Sequence, residues 1–69
     1  MNRVNSGEEI AKKLRELRGD RVRTATARKM GISYSALCKY ENGEKIPNDS
    51  TKAIIANFYG VTVQSIFFD

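Results

Sequence analysis

The sequence predicts an all-α fold, a compact five-helix bundle, on three observations. Apolar residues recur at helical spacing in successive short segments, and glycines stand where several of those segments stop. No stretch shows the apolar–polar alternation of a half-buried strand. Sixty-nine residues make a single domain, 1–69, near the size at which one apolar core is only just sufficient. With 41% hydrophobic residues the chain can bury such a core without disulfides or metal.

Residues 1–5 are expected to be a flexible arm. Ser6 and Glu9 then form a capping-box pattern, the hydroxyl serving free amides and the carboxylate reaching back. Ile10, Leu14 and Leu17 repeat at helical spacing, which predicts a first helix from Gly7 to Arg18 before the break at Gly19 and Asp20. A second helix runs to Met30. Its start is open, since Asp20 could cap it or the chain could turn again before Arg23. Thr24 and Thr26 are only fair helix formers, so packing must hold this segment. Gly31 suits the left-handed residue that closes a helix, and Ser33 suits the cap of the next. That third helix spans Tyr34 to Glu41 and ends at Asn42 and Gly43. Pro47 fits the loop before a fourth helix, capped by Asn48 or Asp49 and stopped by Gly60 after Tyr59. Thr62 can cap a short fifth helix bearing Val63, Ile66 and Phe67.

The segment from Arg23 to Asn42 carries the functional signal. Ala27 is small enough for two helix backbones to approach, and Gly31 lets the chain reverse. Ile32, Leu37 and Tyr40 can then point back to the core. Each is generic alone; together they describe two helices crossing steeply at a tight turn, a common way to present one helix to the DNA major groove. Charge adds to this. Eight of the twelve basic residues lie between Lys12 and Lys29 against only Glu16 and Asp20, so that stretch carries +6 and the remainder −2. A charge run by itself reads equally well as a solvated face; a polyanion partner gains weight because the run leads into the helical pair.

Other classes find little support. The chain has no histidine, hence neither the usual general base nor the usual zinc ligand, and no nucleophile–base set or phosphate-cradling glycine loop. No enzyme, metal, cofactor or small-molecule ligand is expected. The longest apolar runs are too short to cross a bilayer, so no membrane partner is expected. The lone Cys38 and the lack of a secretory segment point to a reducing cytoplasm. Cys38 itself reads as a small semi-apolar residue rather than a redox sensor.

Several stretches resemble the phage repressor and Cro-type (xenobiotic-response-element) helix-turn-helix regulators. They are Ile10 to Arg18, Ala27 to Ser33, Tyr40-Glu41-Asn42-Gly43, Pro47, and Ile55 to Thr62. The match covers nearly the whole chain, and its more specific parts are the Tyr-Glu-Asn-Gly step and the Gly-Val-Thr step. The resemblance implies a lambda-repressor-like domain that binds double-stranded operator DNA, usually as a homodimer on a palindromic site in a bacterial cytoplasm. It also implies an ion pair between Arg18 and Glu41 that joins the first helix to the end of the third. The sequence departs from the family pattern in two places. Val22 and Arg23 stand where serine and glutamine often open the second helix, and the loop after the first helix is shorter than usual.

Helix geometry then assigns expected roles. With Leu37 and Tyr40 inward, the outer face of the third helix carries Tyr34, Ser35, Cys38 and Lys39. Tyr34, Ser35 and Lys39 are the candidate base readers, since lysine can donate to guanine, serine suits several bases and an aromatic edge can pack on a thymine methyl. The plainer reading of Tyr34 is a cover for the helix start. Ala36 fits either packing or close approach. Arg23 and Thr24 at the second helix's start, with Asn42 and Lys45 after the third, are the candidate phosphate anchors; Arg21 and Arg28 are further candidates that simple solvation would equally explain. Val63, Ile66, Phe67 and Phe68 look too apolar for a monomer's last turn, so part of that surface is expected at a dimer interface. The rival reading is a protein-binding module, such as an antitoxin or anti-regulator on the same scaffold.

Overall fold

Side-chain caps set most of the element boundaries. In a computed structural model, which describes residues 4–68, the helices are α1 (Gly7–Arg18), α2 (Arg23–Met30), α3 (Tyr34–Asn42), α4 (Asp49–Tyr59) and α5 (Val63–Phe67). Ser6, Ser33, Asn48 and Thr62 each accept a hydrogen bond from a first-turn amide, and Ser6 with Glu9 completes the capping box. These contacts satisfy amides that have no partner inside the helix.

α2 is the exception. Val22 stands at its cap position and supplies no side-chain bond, so Asp20 is not the cap. What fixes this start is the Thr26 hydroxyl, which donates to the Val22 carbonyl at 2.8 Å, and the burial of Thr26 and Ala27. Packing outweighs propensity here, as the two threonines require.

The core gathers Ile10 and Leu14 of α1, Ala27 and Met30 of α2, Leu37 and Tyr40 of α3, Ile55 and Ala56 of α4, and Ile66 and Phe67 of α5. α3 packs against both α1 and α2, while α5 closes the bundle against α1 and α4.

The end of α5 corrects two expectations. Asn5, expected in the loose arm, is buried: its backbone N–H donates to the Phe67 carbonyl and its Nδ2 to the Ile66 carbonyl, both at 2.9 Å. Val4 forms an antiparallel bridge with Phe68. The physical reason is that a five-residue helix leaves its last carbonyls open, and Asn5 brings two donors to them. Residues 1–3 of the expected arm lie outside the described residues. Ile66 and Phe67, expected at a dimer interface, are instead core residues with essentially no exposed surface. Of the four apolar residues at this end, Val63 and Phe68 keep some exposure, and Lys52 lies over the rings of Phe67 and Phe68 at 5.4 and 5.3 Å.

One close approach has no sequence signal. A Cβ on Gly7 would lie 2.9 Å from the Gly43 carbonyl oxygen, so the start of α1 and the end of α3 touch backbone to backbone. Gly7→Ala is expected to lower stability by about 1–3 kcal/mol, since a backbone atom and not a flexible side chain must move. Urea denaturation reads this as a lower midpoint. A higher midpoint, from alanine's better helix propensity alone, would contradict the contact.

Candidate nucleic-acid interface

The turn between α2 and α3 is built by Gly31, whose φ of 79° is in the left-handed region. Its N–H bonds back to the Ala27 and Arg28 carbonyls, and the Ile32 N–H also reaches the Ala27 carbonyl. A side chain at Gly31 would be strained there although space is open around it. Ser33 then starts α3 directly, and Ile32 packs against the core edge.

α3 has two faces of opposite character. Leu37 and Tyr40 are buried, while Tyr34 is 51% exposed and Ser35 and Lys39 are also exposed. Cys38 is half-buried at the border, where its Sγ accepts from an Arg23 Nη at 3.6 Å. Ala36, half-buried and packed on the core edge, takes the packing role.

The orientation of that face is set by a buried carboxylate. Glu41 has no exposed surface. Arg18 Nε donates to Glu41 Oε2 at 2.8 Å and to Oε1 at 3.0 Å, and Arg23 Nε donates to Oε1 at 3.0 Å. Arg15 adds a bond from Nη1 to the Glu41 carbonyl at 2.6 Å. Glu41 on α3 is thus tied to α1 through Arg18 and Arg15, and to α2 through Arg23. Two cations around one desolvated anion offset the cost of removing the carboxylate from water. The contact with the Cys38 sulfur, with lesser help from Tyr34 and Glu41 and against the opposing effect of burial, pushes Arg23 above its ordinary value, so it stays charged. Burial, with the Glu41 charge adding to it and Arg21 and Arg18 opposing, pushes the neighbouring Tyr59 phenol up, so it stays neutral near pH 7.

This arrangement revises the part expected of Arg23. Its Nε and one Nη are committed to Glu41 and Cys38, so it is a strut between α2 and α3 that keeps only its remaining donors for any phosphate. Arg21 is likewise occupied: its Nη1 donates to the Leu17 carbonyl at 2.8 Å and its guanidinium lies 5.5 Å from the Tyr59 ring centre. Arg18 is held further by a bond from its Nη1 to the Arg21 carbonyl at 2.7 Å.

The basic stretch therefore divides in two. Lys13, Arg15, Arg18, Arg21 and Arg23 are engaged inside the protein. Lys12, Arg28 and Lys29 are exposed and have no ion-pair or hydrogen-bond partner among the described residues, and the same holds for Lys39 and Lys45 beyond the stretch. Thr24 is exposed in the first turn of α2. Asn42, also exposed, closes α3 and reaches Glu44 at 3.4 Å. Sequence reasoning found the pair Arg18–Glu41 through a resemblance and missed Arg15 and Arg23 as its companions. Nothing in the sequence separates an arginine that binds a carboxylate from one that faces solvent.

The helix-turn-helix family model matches residues 12–66, which spans most of the chain from within α1 to within α5. The chain belongs to the Cro/C1-type helix-turn-helix family. No curated protein matches it significantly. As a member of this family the protein is a DNA-binding transcriptional regulator. Among the described residues no helix is long and apolar enough to cross a membrane, and no group of three His, Cys, Asp or Glu side chains could hold a metal ion.

Proposed function

We propose that this Cro/C1-type protein is a sequence-specific repressor of a phage, mobile-element or other bacterial operator, acting in the bacterial cytoplasm, with α3 as its reading helix. The observation that carries this reading is the outer face of α3. Tyr34, Ser35 and Lys39 stand there together, exposed, on a helix clamped by Glu41 to both of its neighbours. A fixed helix with free donors at its surface suits base edges in a major groove. Thr24, Arg28, Asn42 and Lys45 surround that face in sequence and supply phosphate contacts, which position the helix without selecting a sequence. Arg21 and Arg23 contribute to the backbone only through donors left over from their internal bonds.

Affinity for duplex DNA measured against salt tests this. The affinity should fall steeply, with a log–log slope of about −0.9 for each phosphate neutralised. Lys45→Ala should weaken all duplexes alike and make the slope shallower by about one unit of that size. Lys39→Ala should relax base preference, by about 1–3 kcal/mol of discrimination at one position. Identical effects from the two changes would undo the division into readers and anchors. No binding even at low salt would favour a protein partner instead.

Two copies on a palindromic operator would place their reading helices about 34 Å apart, one helical turn of DNA. With Ile66 and Phe67 in the core, Val63 and the outer edge of Phe68 are what this end offers to a second copy. Val63→Asp is expected to turn a sedimenting dimer into a monomer, with some loss of stability because Val63 also packs against the core. An unchanged sedimentation profile would remove this end from the interface.

A further inference from the structure

One polar groove is not explained by the helix-turn-helix. It lies between the first half of α1 and the end of α3, has a volume of about 350 Å³, and is lined by Glu8, Ala11, Lys12, Arg15 and Asn42. Positions 8, 12 and 15 share one face of α1 at helical spacing. Lys12 is exposed and has no partner among the described residues, so its ammonium is free to meet a ligand. Arg15 spends one Nη on the Glu41 carbonyl, which fixes its guanidinium over the end of α3 and leaves the remaining donors of the fork. The Glu41 carboxylate is already taken by Arg18 and Arg23, so it does not neutralise Arg15. Glu8 is the single acidic group of the lining, against two cations.

We propose that this groove is a second phosphate-binding site for duplex DNA, with Lys12 and Arg15 as its cations and, as its neutral donor, the Asn42 amide N–H that is not given to Glu44. The ligand chemistry is a phosphodiester. It carries one negative charge, which suits a lining of net charge +1, and its oxygens accept from a fixed guanidinium and a mobile ammonium. Asn42 belongs both to this groove and to the end of the reading helix. The phosphate held here therefore lies just beyond the base pairs that α3 faces, and α1 becomes part of the footprint. This inference rests on the DNA-binding reading of α3.

The experiment compares Lys12→Gln with Lys13→Gln, which change net charge equally. Lys13 faces the other way, with its Nζ donating to the Ser65 carbonyl at 3.1 Å. Affinity is measured against potassium chloride for one selected operator and one unrelated duplex. Lys12→Gln should make the slope shallower by about 0.9 on both duplexes, without changing their ranking, while Lys13→Gln keeps the original slope. Glu8→Gln should tighten both complexes, because it removes the carboxylate that repels the phosphate. Equal slopes for Lys12→Gln and Lys13→Gln, in a protein that still binds its operator, would overturn the groove and leave α3 as the reader. Failure of the unaltered protein to bind either duplex would overturn both.

Discussion

Replacing Arg18 with methionine should cost about 3 kcal/mol of stability, the lower end of the range for breaking a buried ion pair. The range applies because Glu41 has no exposed surface, so its carboxylate cannot recover water when a partner leaves. The lower end applies because Arg23 remains at 3.0 Å and keeps part of the compensation. Arg18 and Arg23 are 17% and 31% exposed, so the stranded group is the carboxylate and not the guanidinium that stays behind. Arg18→Met with Arg23→Met should therefore cost more than the two single changes added together, since the second loss leaves the anion alone. Against a total stability of about 0.05–0.15 kcal/mol per residue, the double variant should be largely unfolded at 25 °C.

Adding Glu41→Leu to that double variant should restore most of the lost stability, because replacing a whole buried ion cluster with apolar groups is often neutral or favourable. Operator affinity should not return in proportion. The restored core no longer ties α3 to α1 and α2 by directional bonds, so the reading helix loses its fixed roll. Urea midpoints read the first outcome and duplex binding the second. If Arg18→Met cost under about 1 kcal/mol, the pair would behave as an exposed one, and the clamp would not be what orients α3.

The second large effect is at the other end of the bundle. Phe67→Ala should cost about 3–5 kcal/mol, the range for truncating a buried aromatic side chain. Phe67 is fully buried, its carbonyl receives the Asn5 N–H, and Lys52 lies over its ring. The loss should therefore appear in the single chain, independent of protein concentration. An interface role would give the opposite pattern, with a stable monomer and a midpoint that shifts only with concentration. Asn5→Ala should show a smaller loss of the same kind, since it removes the Nδ2 bond to Ile66 and leaves the backbone bond to Phe67.

How legible these features were in the sequence depends on how local their causes are. Caps and stops lie within three or four residues of the groups they serve, so Ser6, Ser33, Thr62 and Gly31 could be read directly. Val22 could not, because α2 begins where Thr26 and Ala27 become buried and not where a side chain offers a cap. The inward face of α3 was legible from the spacing of Leu37 and Tyr40. The division of the cations was not: apart from Arg18, which the family resemblance paired with Glu41, residues Arg15, Arg23 and Lys12 look alike in sequence, and only the position of Glu41 in space separates them. Asn5 failed for the same reason, since its acceptors are the carbonyls of Ile66 and Phe67 at the far end of the chain. An apolar tail such as Val63 to Phe68 reads equally as a core lid and an interface, and burial alone decides.

Whether the outer face of α3 reads sequence is decided by selecting binding sites from random duplexes, with the unaltered protein and with Tyr34→Ala, Ser35→Ala, Lys39→Ala combined run side by side. The unaltered protein should enrich one palindromic motif. The triple variant should keep salt-sensitive binding to any duplex but enrich no motif. Enrichment of the same motif by both proteins would place sequence reading somewhere other than the exposed face of α3.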